Sequence, residues 1–472
     1  MIRRPLVIAL AAAVSLSALL PATASAEDLL QTYELARTAD PQLAAAESNR
    51  LAIQEGAVQT RAAMLPQLDG SASITKGRSY QRGNGSINPD GTINTGDSDS
   101  ESTTRSSGVN LSQMVYDRGN FTRHKSAKAL AQAADFQLAA SGNDLITRTS
   151  ASYFNVLIAL ESLAAAEAAE TALKKQFDYA SKRLEVGLAP ITDVHEARAE
   201  YDQARANTIL ARNNLKDYYQ ALTELTGQPV MSLRALPEAW RPEVPAQYSN
   251  VDELVSSAIT ENPALKAQGL QVSAAESSVS AARAGHYPTL TLGGSWGKSA
   301  QWGDSTGSGG LTPDATTNSI GLTLSVPIFS GGATQSRVRQ ALASRDIQQD
   351  TFEQQKRALD RNTRNAYQTV VAGVSEVEAR RLAVVSAQAA FDASQVGLEV
   401  GTRTVLDVVQ NQRTLFAAQV DYVRARYNFL QNRLLLAQAT GKLEIADLQD
   451  INRMLTDDAE AKLQRADDTL KQ

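Results

Sequence analysis

At 472 residues the chain is long enough for more than one folding unit, and its lack of cysteine excludes disulfides, thiolate metal sites and a lipidated N-terminal cysteine. The formal net charge of −5, about −7 once the two N-terminal arginines below are removed, leaves no electrostatic footprint for nucleic acid. Aromatic residues make up only 5% of a composition rich in Ala, Gln and Leu, which leans helical.

The chain opens with Arg3 and Arg4, an apolar run from Pro5 to Leu20 and the small residues Ala24, Ser25 and Ala26, the pattern of a secretory signal over 1–26. The mature protein is therefore expected to start near Glu27, outside the cytoplasm. Beyond it no apolar run approaches the roughly 20 residues that a membrane helix needs, so any span must be built from strands.

A first structural repeat is predicted over 27–227. Short helices come first, then a strand at about 66–78 carrying Leu68, Ala72 and Ile74, a polar loop from Ser79, and a strand at about 106–117 carrying Val109 and Leu111. Long helices follow at about 120–186 and 190–227. A Pro-rich linker occupies 228–250, including "QPVMSLRALPEAWRPEVPAQY". A second repeat over 251–441 has strands at about 288–300 and 318–330, a polar loop from Ala300 between them, and long helices at about 333–397 and 403–441. The remainder, 442–472, ends in a polar tail.

The two repeats share more than their order. "DPQLAAAES" from Asp40 matches "NPALKAQGL" from Asn262, "LPQLDGSAS" from Leu65 matches "YPTLTLGGS" from Tyr287, and Phe177, Gly187 and Gly227 match Phe391, Gly401 and Gly441. "LEVGLAPITDV" from Leu184 returns as "LEVGTRTVLDV" from Leu398. Repeats of this length are too long for solenoid units and suit pseudo-symmetric halves of one molecule.

In the second repeat Ile320, Leu322, Leu324 and Val326 alternate with Gly321, Thr323, Ser325 and Pro327, a period-two pattern with one apolar face. Such strands fit a lipid-exposed barrel wall, and equally an ordinary sheet half-buried on a soluble core. Four strands cannot close a barrel, and an open edge is not tolerated in lipid, so a spanning sheet requires several chains; three would give 12 strands. The helical stretches of some 65 residues, interrupted only by Gly142 and Gly373, would reach about 100 Å, too long for a compact domain. Leu145, Thr149, Ser152, Val156 and Leu160 recur at helical spacing, and their small neighbours permit close side-by-side packing.

"GLAPITDVHEARAEYDQARANTILARNNL" from Gly187 and "GTRTVLDVVQNQRTLFAAQVDYVRARYNFLQNRLLLAQATG" from Gly401, with the repeat order around them, resemble the TolC-type outer-membrane efflux channels. The resemblance implies a mixed, mainly α fold. In it, a homotrimer pools four strands per chain into a 12-stranded outer-membrane β-barrel, continued by a periplasmic α-helical coiled-coil barrel. It implies the exit duct of a tripartite efflux pump or type I secretion system. The partners would be a periplasmic adaptor, an inner-membrane RND or ABC transporter and outer-membrane lipid; no cofactor, nucleic acid or enzymatic step is implied.

The same resemblance places a periplasmic gate at the repeated turns. Its arginine falls on Arg403, with Thr192 and Asp193 as partners, and its acidic ring on Asp407. A second ring position is occupied by Gln410 and a gate tyrosine position by Leu398, two departures from the family. Among the residues by which the turns differ, only the second turn supplies a cation. Three Asp407 carboxylates at a trimer axis would raise one another's pKa. Read without the resemblance, Asp407 follows Thr404 at the spacing of a helix cap, Asp193 lies in a helix's first turn, and Gly187 and Gly401 suit helix ends. Capping and gating are compatible. His124, His195 and His286 lie far apart with no ligand spacing, so no metal site is expected. An exported helical filament is the rival from another class; the alternating strands argue against it.

Overall fold

The computed structural model describes residues 28–87, 89–188, 190–230, 232–244, 250–305 and 312–459; the expected signal segment and the polar end beyond 459 lie outside the described residues. The fold is mainly helical with one four-stranded sheet. In chain order the helices are α1 (Leu29–Ala39), α2 (Pro41–Ala62), α3 (Arg118–Glu185), α4 (Ile191–Thr226), α5 (Val251–Glu261), α6 (Pro263–Arg283), α7 (Ala333–Glu399), α8 (Val405–Ala439) and α9 (Ile445–Met454). The strands are β1 (Gln67–Ile87), β2 (Ile93–Tyr116), β3 (Arg234–Ala235), β4 (Thr289–Ser305), β5 (Thr312–Ser325) and β6 (Asp457–Asp458). No described helix is long and apolar enough to cross a membrane. The chain divides into two units.

One unit, residues 48–136 and 265–354, holds the sheet, ordered β1-β2-β4-β5 and antiparallel throughout. Each repeat supplies one hairpin, and the β2–β4 pairing, Val109 opposite Trp296, joins them. The segments from Ser79 and from Ala300, expected as loops on their Gly, Ser, Asn, Asp and Thr content, are instead largely strand: β1 pairs with β2 out to Ile87 opposite Ile93. Antiparallel pairing within each hairpin satisfies backbone groups whatever the side chains, and this outweighs weak intrinsic strand propensity.

Period two sorts the side chains cleanly. Leu68, Ile74, Val109, Trp296, Ile320, Leu322 and Leu324 share one face and are exposed. Hydroxyls dominate the other, where Ser73 bonds Ser106 at 2.8 Å and Ser295 bonds Ser319 at 2.7 Å. In the helical part of this unit, small residues allow close approach: the Ser126 hydroxyl donates to the Ala274 carbonyl at 2.9 Å, and Gln268 bonds Gln348 at 3.1 Å.

The other unit comprises 28–47, 137–264 and 355–459 of the described chain. Leu145, Thr149, Val156 and Leu160 are buried, so the three-and-four spacing of α3 marks its packed face. Tyr153, Phe154, Tyr427, Phe429 and Leu430 form the centre of the core. Both long helices run through their glycines unbroken, and at Gly373 the reason is packing: a β-carbon there would lie 3.0 Å from the Phe429 ring.

The linker is held by both repeats. Tyr153 donates its hydroxyl to the Arg234 carbonyl at 3.0 Å and accepts from the Arg234 N–H at 2.8 Å, while Tyr427 accepts from the Leu236 N–H at 3.3 Å. The Arg426 guanidinium, 4% exposed, donates to the Pro237 carbonyl and lies over the Trp240 and Tyr422 rings.

Each long helix that starts a repeat's helical pair also ties down a short helix. Arg148 bonds Asp40, the residue ending α1, at 2.8 Å and Asp144 at 2.7 Å, whereas Arg364 reaches Asp252 at 3.0 Å and Asp360 at 2.8 Å. Burial pushes the Asp40 carboxyl up, but the Arg148 hydrogen bond and the Leu43 N–H outweigh it and hold its pKa below the ordinary carboxylate value.

Candidate functional site

The two turns between long helices begin alike. After α3 the Leu188 N–H bonds the Arg183 carbonyl at 2.8 Å and the Gly187 N–H bonds Leu184 at 2.9 Å. After α7 the Thr402 N–H bonds Gly397 at 2.8 Å and the Gly401 N–H bonds Leu398 at 3.2 Å. Both are Schellman closures, which need a left-handed residue, and Gly187 and Gly401 supply it at φ 73° and 80°.

The turns differ in how the next helix starts. Thr404 caps α8: its hydroxyl accepts from the Asp407 N–H at 3.2 Å, and the Asp407 carboxylate accepts from the Thr404 N–H at 2.9 Å. Proline has no side-chain acceptor, so Pro190, in the same place before α4, makes no such cap. Asp193, the counterpart of Asp407, has no salt bridge to a described residue, and Thr192 beside it is exposed.

Arg403 is exposed and lies 4.0 Å from Asp407; it does not reach Asp193 of its own chain. Within one chain the Asp407 pKa is lowered, first by the Thr404 N–H, then by the Thr404 hydroxyl, with Arg403 adding attraction. This is opposite in direction to the elevation expected of a carboxylate ring, because the carboxylate is bound to its own helix start. Gln410 is exposed one turn further along α8, and Leu398 is half-buried with its carbonyl engaged by Gly401.

The expectation that only the second turn supplies a cation needs correction. Arg183, four residues before Gly187, donates to the Leu188 carbonyl at 3.1 Å and lies against the Tyr179 ring. A side chain from the preceding helical turn folds over the chain reversal, and it lies outside the residues after the glycine by which the turns differ. His124 bonds Thr60 at 3.1 Å, and no cluster of three His, Asp or Glu side chains among the described residues could hold a metal ion.

Behind the turns, α3, α4 and α8 pack through Leu173, Ala204 and Val409, with Phe177 stacked on Tyr201 at 6.3 Å. A cavity of about 380 Å³ among these helices is walled by Ala165, Ala169, Ala204 and Ala417 and rimmed by Glu200 and Arg413, themselves 3.3 Å apart. Small side chains on three neighbouring helices leave a passive gap, with no convergent set of reactive groups.

The family model described as outer membrane efflux protein matches residues 32–228 and 254–442, the two repeats. The chain is 33% identical over 429 residues to the outer membrane protein TolC of Vibrio cholerae serotype O1, covering 90% of this chain and 93% of that one. It is 29% identical over 437 residues to the alkaline protease secretion protein AprF of Pseudomonas aeruginosa, covering 91% and 88%. The Campylobacter jejuni CmeC outer membrane channel superposes with a TM-score of 0.75 at 18% identity, covering 91% of this chain and 90% of that one. A duplicated chain with an apolar-faced sheet and helices of 68 and 67 residues, matched over both repeats, belongs to the outer membrane efflux protein family and is an outer-membrane exit duct.

Proposed function

We propose that three copies of this chain pool their sheets into a 12-stranded barrel and their long helices into a periplasmic tunnel. Such a trimer would form the exit duct of a tripartite efflux pump or a type I secretion system. The observation that carries it is a sheet with one exposed apolar face, one hydroxyl-lined face and outer edges on β1 and β5 that pair with no other described strand. A lipid-exposed sheet cannot leave those edges open, and pairing β5 of one copy with β1 of the next closes them. A periplasmic adaptor and an inner-membrane RND or ABC transporter would deliver the cargo and the energy. Because the native chain has no cysteine, paired cysteines placed on β1 and β5 test the arrangement. A disulfide-linked trimer in outer-membrane fractions is the expected result, and a soluble monomer would sink the reading.

The repeated turns serve this duct as its periplasmic gate. Arg403 is exposed and Asp193 has no described ion partner within the chain, so the latch is a charge-assisted bond between neighbouring copies, with Thr192 beside it. Asp407 supplies one carboxylate per copy near the constriction and Gln410 supplies none. The closed mouth therefore blocks cations more weakly than one with two carboxylates would. In planar bilayers Arg403→Ser is expected to raise conductance, and Gln410→Asp to strengthen divalent-cation block. If Arg403→Ser and Asp193→Ser each leave conductance unchanged, the latch assignment is wrong.

A further inference from the structure

Above the apolar band, the outward face of the sheet carries the basic side chains Lys76, Arg78, Arg105 and Lys298, and they divide into two kinds. Lys76 is bound to Glu101, and Arg78 to Asp99 with contacts of 3.1 and 2.5 Å. Arg105 on β2 and Lys298 on β4 are exposed and form no salt bridge with any described residue.

Register places the unpaired two together. Arg105 stands opposite Ala300, and Ser107 stands opposite Lys298, so the four residues form a square on one face. The cations occupy one diagonal, at the spacing of roughly 7–8 Å typical of diagonal neighbours, and two small residues occupy the other. Two like charges side by side with no described acid between them repel, while Ala300 and Ser107 leave room above the backbone and offer one hydroxyl. Beneath this square lie Val109 and Trp296, which face each other, then Leu111 and Ile320; Trp302 lies on its far side.

We propose that Arg105, Lys298 and Ser107 bind the phosphate of a phosphorylated glycolipid in the outer leaflet. The phosphate sits between the cations and the acyl chains lie down the Trp296 and Val109 face. The proposal rests on the reading of this sheet as an outer-membrane wall. An ordinary lysine or arginine at a lipid boundary simply extends to water. Here Lys76 and Arg78 already have protein partners, and the diagonal pair is the place where an outside anion completes the charge balance.

The test uses the full-length trimer in zwitterionic phospholipid vesicles doped with bis-phosphorylated lipid A or with the same lipid after phosphatase treatment. Flotation reports insertion, and native mass spectrometry reports retained lipid. The wild-type protein is expected to keep the phosphorylated form preferentially. Arg105→Gln/Lys298→Gln should bind it about thirtyfold more weakly, at roughly 1 kcal/mol per basic side chain near an anionic surface. Each single variant should lose about fivefold by the same arithmetic, and Lys76→Gln/Glu101→Gln should match wild type. Equal binding by the double variant and wild type, equal retention of the dephosphorylated lipid, or displacement by inorganic phosphate at matching concentration would each overturn the site. Failure of the wild-type protein to float with the vesicles would overturn the membrane-wall reading and the site together; flotation without a phosphate preference overturns the site alone.

Discussion

Four glycines end long helices in the helical unit, and their surroundings fall into two groups. At Gly187 and Gly401 a β-carbon would meet nothing within 4 Å, whereas at Gly227 it would lie 2.9 Å from the Ala39 β-carbon and at Gly441 2.6 Å from the Asn262 nitrogen. All four have φ between 71° and 80°. The same backbone device therefore serves two purposes. After α4 and α8 it lets a helix end press against the end of a short helix, and at the other two turns it only reverses the chain. At Gly227 and Gly441 the missing side chain serves contact, and at Gly187 and Gly401 it serves direction alone.

Substitution tests that contrast most sharply at Gly441. Gly441→Ala combines left-handed strain with a backbone clash and is expected to cost about 2–4 kcal/mol, read as a lower thermal midpoint of the purified protein. Gly401→Ala should cost only about 1–2 kcal/mol, the strain alone. Equal losses at the two positions would break the contrast. Within the turns the next effect is the cap: Thr404→Ala should lower hydrogen-exchange protection at the start of α8 by about 1 kcal/mol. Pro190→Thr, with Asp193 already three residues on, should raise protection at the start of α4 by a smaller amount, about 0.5 kcal/mol.

Acid provides the smallest and most selective test. The folded Asp407 pKa is lowered, so its contribution is present above the unfolded carboxylate value of 3.8 and is lost as pH falls through the folded value below it. Protection at the start of α8 should therefore hold at neutral pH and decline below about pH 4. Asp407→Asn should remove that dependence, and the start of α4, which has no such cap, should not show it.

Much of this organisation is legible in the residues. Gly187, Gly227, Gly401 and Gly441 recur at one offset, and the alternation through Ile320, Leu322 and Leu324 marks a two-faced strand. Strand length was harder to read. Between Ser79 and Arg105 the chain is polar and Gly-rich, yet much of it is ladder, because the two strands of one hairpin satisfy each other's backbone groups. The turns hid two further facts. Arg183 reaches over its turn from the helix before it, and Arg403, in the turn before α8, has a carboxylate four residues on in the first turn of that helix, a local pairing that no distant match in the repeats signals.

The tyrosine bonds to the linker have a mechanical consequence. Tyr153 belongs to the first repeat and Tyr427 to the second, and they grip Arg234 and Leu236, two residues apart. A strap riveted that closely to two beams has little slack to take up. An axial slip of α3 against α8 by even one helical residue, about 1.5 Å, exceeds what these hydrogen bonds tolerate. The linker thus acts as a shear pin, which leaves bending and uncoiling farther along the helices as the motions still permitted.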